Sequence, residues 1–172
     1  MRPNFNYLEE RAEDLLVRNN LFYAGFNVKK LTKLLKINLK EEPLSDDVSG
    51  FFVMTDTDNI ITYNKSNGKL RQRFTIAHEI GHFILHSKEQ PIFIDKTPSV
   101  MFRNNSSSTG EDFKEREANA FAASLLMPRT LIEKEILNAP NDIDDAIQHL
   151  ADMFKVSQQA MSFRLSNLGY GI

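Results

Sequence analysis

Residues 69–86, KLRQRFTIAHEIGHFILH, decide the fold of this chain. As a helix with about 100° between successive residues, the stretch gathers its polar side chains in one sector and apolar side chains in the rest. That polar sector contains His78, Glu79, His82 and His86. Burying imidazoles and a carboxylate among apolar residues is costly unless they are paired or bound to a metal. The stretch therefore predicts a buried helix whose polar stripe holds a metal ion.

His78 and His82 carry the metal prediction because they lie one helical turn apart on the same face. Two such histidines can bind one tetrahedral ion, and the next glutamate, Glu79, can act on water as a general base. This is the HExxH arrangement of zinc peptidases. The short pattern also recurs by chance, but a chance match usually lacks a buried polar stripe. His86 lies about 12 Å along the helix axis from His78, so we expect it to hold a ligand in place or end the helix.

The third ligand must be His, Asp or Glu, because the chain contains no cysteine. The predicted helix at residues 112–127 offers Glu115, which shares a face with Asn119 and the small residue Ala122. Small residues allow two helices to approach closely, whereas Glu117 points nearly half a turn away. We therefore predict Glu115 as the third ligand, with Glu117 as the alternative. Asn119 either holds a ligand in place or packs between the helices.

Composition narrows the function classes further. The chain has 172 residues, of which 41% are hydrophobic and 26% charged, and this fits one domain with a sizeable core. A formal net charge of -2 gives no general attraction to polyanions, so direct binding of nucleic acid is not expected. The sequence has no secretory signal and no run of about 20 apolar residues, which predicts cytoplasmic residence without membrane contact.

The remaining pattern predicts a single domain, residues 1–172, of the α+β class. Its expected parts are N-terminal helices with a leading strand (1–47), the sheet with the HExxH and Glu-ligand helices (48–128), and a C-terminal helical subdomain with a helix-turn-helix-like pattern (129–172). Further helices are predicted at residues 7–18, 28–35, 130–137, 144–154 and 157–168, strands at 36–39, 50–54 and 60–63, and a polar loop at 103–110.

Two blocks of the sequence resemble a known family. Residues 71–86 and residues 115–128, EREANAFAASLLMP, are similar to blocks of the ImmA/IrrE family of bacterial and phage metallopeptidases. The combination is far more specific than HExxH alone, and the resemblance extends over residues 48–168. It implies a compact zincin-like fold of the gluzincin type, with a small sheet packed on the HExxH helix.

The resemblance also implies roles for individual residues. His78, His82 and Glu115 would bind one zinc ion per chain, and Glu79 would be the general base. Family members typically cleave repressors of mobile elements, or regulators of stress responses, at a single site. Many carry an additional helix-turn-helix domain that is not expected here, so the predicted substrate is a separately encoded helix-turn-helix repressor. In zincins an exposed strand beside the metal helix pairs with the substrate, and residues 60–64 are the candidate.

Two other functions are compatible with the sequence. Residues 147–168 resemble a helix-turn-helix, which favours a DNA-binding regulator. However, the second helix offers only Arg164 as a cation, which is too little to neutralise phosphates. We therefore expect this segment to pack against other helices or to dock the substrate repressor. The second alternative is a zinc-bound module that sequesters its partner without cleaving it.

Overall fold

The helix that carries the candidate ligands His78 and His82 lies between a four-stranded sheet and a second long helix. The computed structural model describes residues 4–89, 91–96 and 108–170. The helices are α1 (Phe5–Arg18), α2 (Val28–Leu34), α3 (Lys69–His86), α4 (Ser108–Leu126), α5 (Arg129–Glu135), α6 (Ile143–Phe154) and α7 (Gln158–Asn167), with a 3-10 turn at Ile136–Asn138. The strands are β1 (Ile37–Glu42), β2 (Val48–Met54), β3 (Asn59–Asn64) and β4 (Ile92–Lys96). The predicted α+β class is confirmed.

Most helices and strands begin and end close to the predicted residues. The metal helix has the predicted bounds, and the largest shift among the helices is in α4, which begins at Ser108 rather than at residue 112. Residues 103–107 of the predicted polar loop lie outside the described residues, and residues 108–110 belong to α4. The strand β4 was not predicted. None of the described helices combines the length and hydropathy that a membrane span needs.

The sheet has the strand order β1-β3-β2-β4. β3 pairs in parallel with β1 and antiparallel with β2, whereas β4 pairs antiparallel with the other side of β2. The prediction that residues 60–64 form an exposed edge strand is therefore wrong. The last four residues of β3 are buried, because a neighbouring strand covers each side and α3 packs near it. Among the described strands, β1 and β4 lie at the edges.

The helix α3 is buried among apolar elements, as the sequence predicts. Its apolar side chains Ile76, Ala77 and Ile80 are fully buried against the sheet and the neighbouring helices. The polar stripe is equally buried, and it contains Thr75, His78, Glu79, His82 and His86. A stripe of this kind must find its partners inside the protein.

The helix α4 packs directly against α3 at Gly81. A Cβ atom at this position would lie 3.2 Å from both the Cα and the carbonyl oxygen of Ala118, and 3.4 Å from a ring carbon of Phe121. A side chain at Gly81 would therefore push the backbone of α4 outward. This contact sets the distance at which the side chains of α4 face the histidines of α3.

The C-terminal helices α6 and α7 form the predicted helix-turn-helix-like pair. Lys155 adopts the left-handed conformation between them, with φ of 56°, and the Ser157 hydroxyl accepts a hydrogen bond from the first turn of α7. Leu150, Phe154 and Met161 are buried at 1% exposure or less. The pair therefore packs onto the core of the protein.

A buried ion cluster ties the first helix to this C-terminal part. Arg129 Nε donates to one carboxylate oxygen of Glu9 at 2.6 Å, and Arg164 Nη1 donates to the other at 2.8 Å. Arg164 also donates through Nε to the Met127 carbonyl oxygen at 3.0 Å. Burial alone would raise the pKa of Glu9, but the hydrogen bonds and charges of the two arginines outweigh it and hold the pKa below its ordinary value.

Replacing Glu9 with glutamine should destabilise the fold by about 3 kcal/mol at neutral pH, because the buried Arg164 loses its counter-charge. Since the folded-state pKa is lowered, this stabilisation is complete above the unfolded-state value near 4.5. It disappears as the pH falls through the lower folded-state value. Urea unfolding of wild type and variant at neutral and acidic pH measures both effects.

The matched control is Asp14→Asn, which removes an exposed ion pair with Arg18 and should leave the unfolding midpoint nearly unchanged. Equal losses in the two variants, or a Glu9→Gln loss that persists in acid, would contradict the role given to Glu9.

Candidate metal centre

Three side chains from two helices bring their donor atoms together. The Nε2 atoms of His78 and His82, both on α3, lie 3.0 Å apart. The Glu115 carboxylate, on α4, spans them, with one oxygen 3.1 Å from His78 Nε2 and the other 3.2 Å from His82 Nε2. These three residues form a group that could hold a metal ion. The structure thus brings together the residues that the sequence analysis singled out as ligands.

The surroundings of His82 and Glu115 keep both residues in forms suited to a cation. Burial lowers the pKa of His82 to about 4. Burial alone would raise the pKa of Glu115, but the hydrogen bonds and charges of His78 and His82 outweigh it and lower the pKa to about 2. At neutral pH His82 is therefore neutral and Glu115 is ionised. A neutral imidazole and a carboxylate are the forms that bind metals.

Asn119 determines which nitrogen of His78 carries the ring proton. Its Oδ1 atom lies 3.0 Å from His78 Nδ1. Because that oxygen accepts a hydrogen bond, the proton sits on Nδ1, and Nε2 presents its lone pair to the donor group. The sequence leaves open whether Asn119 holds a ligand in place or packs between the helices, and its contact with His78 is compatible with the first of these.

His86 and Glu117 form a similar chain behind His82. His82 Nδ1 lies 3.2 Å from His86 Nδ1, and His86 Nε2 lies 3.0 Å from a carboxylate oxygen of Glu117. Glu117 can accept the proton of His86 Nε2, which leaves His86 Nδ1 to accept the proton of His82 Nδ1. His86 thus contacts a candidate ligand and lies outside the donor group. Glu117, the alternative ligand, contacts His86 instead.

Glu79 lies in the same polar stripe, immediately after His78, and is 0% exposed. Glu79 is therefore held inside the protein, next in sequence to a candidate ligand.

The ring of Phe93 on β4 is a part of the site that the sequence analysis missed. It stacks on His82 with ring centroids 4.0 Å apart and an interplanar angle of 17°, and it is only 5% exposed. This stacking fixes the plane of the His82 imidazole ring. The β-prone run Ile92-Phe93-Ile94 is the signal that could have revealed this strand.

The donor set fits a tetrahedral divalent ion. Donors bound at about 2.0–2.2 Å in that geometry lie roughly 3.3–3.6 Å from one another. The three separations here, 3.0, 3.1 and 3.2 Å, come close to this range. With both Nδ1 atoms protonated, the facing nitrogens and oxygens are all lone-pair donors. A cation between them would offset their mutual repulsion.

The chain is similar to a protein family, a phage protein and a solved structure. Residues 32–166 match the model of the peptidase M78 family, described as the IrrE N-terminal-like domain. The uncharacterized immunity region protein 2 of Bacillus phage phi105 is 24% identical over 139 residues, which are 76% of this chain and 82% of that protein. A solved structure, a Mycobacterium tuberculosis transcriptional regulator, matches with a TM-score of 0.64 and 18% identity over 93% of this chain. The match covers 47% of that regulator and concerns the fold.

Replacing His86 with alanine or Glu117 with glutamine should weaken zinc binding about tenfold while leaving one site per chain, because both residues act through His82. Competition titration with a chromogenic chelator measures the affinity, and elemental analysis at saturating zinc measures the stoichiometry. Glu133→Gln, an exposed change on α5, is the control and should keep the wild-type affinity. Loss of the site at saturating zinc in the His86→Ala variant would make His86 a ligand. Unchanged affinity in both variants would show that His86 and Glu117 do not orient His82.

Proposed function

We propose that this chain, which belongs to the peptidase M78 family with its IrrE N-terminal-like domain, is a zinc-dependent endopeptidase that cleaves a transcriptional regulator. The observation that carries the proposal is the convergence of His78, His82 and Glu115, with the buried carboxylate of Glu79 beside them. A structural zinc site is usually closed by four protein ligands. Within the described residues the group has three, which suits a catalytic site.

Zinc is the metal that we propose, at one ion per chain. Two imidazole nitrogens and one carboxylate are a common ligand set of catalytic zinc, and no cysteine is available for softer metals. When bound, zinc would lower the pKa of water and polarise the scissile carbonyl. The neighbours Asn119 and His86 would keep both imidazoles in the tautomer that presents Nε2.

Glu79 is the residue that we propose as the general base. It would accept a proton from the attacking water and return that proton to the leaving amine as the peptide bond breaks. Its carboxylate is fully buried and follows His78 directly in the sequence. Asn119 would hold His78, and the chain of His86 and Glu117 would hold His82, throughout this transfer.

An extended substrate would pair with β4. Among the described strands β4 is the edge strand that contacts α3, and its Phe93 packs on His82. Backbone hydrogen bonds from an edge strand hold a peptide extended without demanding a particular sequence. This assignment replaces residues 60–64, which lie inside the sheet.

The substrate that we propose is a separately encoded helix-turn-helix regulator. The relative from phage phi105 is named for an immunity region, which supports a partner that controls genes of a mobile element. Cleavage of such a regulator would take place in the cytoplasm. We further propose that residues 1–172 act as one domain, because Glu9 on α1 pairs with Arg129 and Arg164 in the C-terminal part.

DNA binding by the C-terminal helices is the weaker alternative. Arg164 is the only cation of α7, and it is 7% exposed and paired with Glu9. A guanidinium held in this way cannot contact DNA phosphates without breaking a buried ion pair. We therefore expect no sequence-specific binding of DNA by α7.

A mobility-shift titration of the zinc-loaded protein against promoter fragments at physiological salt tests this expectation. Only weak retardation that disappears with competitor DNA is expected, because phosphate neutralisation is missing. Tight binding that distinguishes one sequence from scrambled controls would establish a DNA-binding function and contradict the role given to Arg164.

The Glu79→Gln variant separates cleavage from sequestration. It should keep its zinc and its fold yet lose about 10²–10⁴-fold in cleavage rate, because an amide cannot take up the proton. A sequestering module would act equally well with either residue. The measurement is coexpression of each variant with candidate regulators, followed by the length of the regulator on gels.

Glu115→Gln is the companion variant, and it should lose both zinc affinity and cleavage. If the wild type shortens no regulator, or if Glu79→Gln cleaves as fast as wild type, the peptidase proposal fails. If Glu115→Gln binds zinc with wild-type affinity, the proposed ligand set is wrong.

A further inference from the structure

A groove of about 950 Å³ opens beside α4. Its walls come from α1, α3, α4 and α7, and the walls include Phe74 and Asn119. Asn119 contacts His78, and the Phe74 ring lies 6.3 Å from the His78 ring. Asn119, which lines the groove and contacts His78, therefore connects the groove to the candidate metal centre.

The walls of the groove are mainly apolar, and its rim carries exposed aromatic and aliphatic side chains. Phe5 is 55% exposed, Leu70 is 46% exposed and Phe163 is 63% exposed, and all three line the groove. Clustered apolar surface of this kind marks interaction sites in proteins, because leaving it in water is unfavourable. Three different helices supply these side chains, so the cluster is a property of the fold.

The floor of the groove is positively charged. Glu9, Arg129 and Arg164 all line it, and they bring one carboxylate against two guanidinium groups. Arg164 Nη2 is buried and has no hydrogen-bond partner among the described residues. Arg129 is 39% exposed at its side chain, so the excess charge is accessible. A net positive floor under apolar walls favours a ligand that is apolar and carries a carboxylate.

We propose that this groove binds a segment of the substrate protein in which apolar side chains flank an acidic one, and that it positions the adjoining peptide at the metal centre. The inference rests on the proposed endopeptidase function, since the groove adjoins the same histidine. The apolar side chains would pack against the aromatic rim, and the acidic side chain would face Arg129, the exposed guanidinium of the cluster. Nucleic acid and a second copy of this chain are the other possible occupants, and the experiment distinguishes them.

The probe is a set of short fluorescein-labelled peptides, with fluorescence anisotropy as the readout on the zinc-loaded full chain. One peptide combines leucine with glutamate, a second has glutamine in place of glutamate, a third has lysine, and a fourth has serine in place of leucine. The leucine and glutamate peptide should bind best. Glutamine should weaken binding about fivefold, and lysine or serine should weaken it more. Mass spectrometry shows whether each peptide stays intact.

Variants of the protein then locate the binding site. Phe163→Ala should weaken binding of the best peptide about tenfold. Leu137→Ala is its matched control, since Leu137 is 82% exposed but lies outside the groove, and it should have no effect. Arg129→Gln should reduce the preference for glutamate over glutamine, whereas Arg18→Gln should not. Thermal unfolding shows that each variant is folded.

Equal binding of the glutamate and lysine peptides, or equal effects of Phe163→Ala and Leu137→Ala, would overturn the inference. Tighter binding of single-stranded DNA than of any peptide, or dimerisation that Phe163→Ala abolishes, would assign the groove to another occupant and overturn it as well. The proposed function can fail independently of this inference. If the peptides bind as described but no regulator is cleaved, the groove is a peptide-binding site and the peptidase proposal fails. If the Phe163→Ala and Arg129→Gln variants cleave a regulator at the wild-type rate, the peptidase proposal holds and the role given to the groove is wrong.

Discussion

The close packing of α4 on α3 at Gly81 is the contact on which the site depends. With a hydrogen atom as the side chain of residue 81, the backbone of Ala118 lies within reach of the metal helix. That proximity carries the Glu115 carboxylate to both histidines and Asn119 to the back of His78. A shift of α4 away from α3 would carry the Glu115 carboxylate away from the two imidazoles and so change the donor distances.

The polar stripe of α3 is stable in an apolar interior because each imidazole has a directed partner. Asn119 accepts a hydrogen bond from the ring of His78. His82 contacts His86, and His86 in turn contacts the carboxylate of Glu117, which lies near the surface. Buried imidazoles that are hydrogen-bonded in this way are held in one orientation. The same logic holds at Glu9, where a single carboxylate joins two arginines that are distant in the sequence.

Periodicity was sufficient to predict α3 and the face of α4 that carries Glu115, because both depend on neighbours within one helix. The same reasoning could not show that β3 lies inside the sheet. Its position depends on β1 folding back alongside it, which no local pattern encodes. Phe93 and the contact between His86 and Glu117 escaped prediction for the same reason, since each joins residues from separate elements. The helix-turn-helix pattern was recognised, but the burial of Arg164 depends on Glu9, which is 155 residues away.

The position of Glu9 also determines when its pairing with the two arginines can form during synthesis. Its partners are 120 and 155 residues further along the chain, so the carboxylate leaves the ribosome long before either arginine is made. Pairings between such distant residues form late, because the loop between them must first be ordered. The groove wall formed by α1 and α7 therefore exists only after α7 has been translated. A nascent chain can hold all of its candidate metal ligands and still lack this surface, which would restrict recognition of a partner to chains that have been translated through α7.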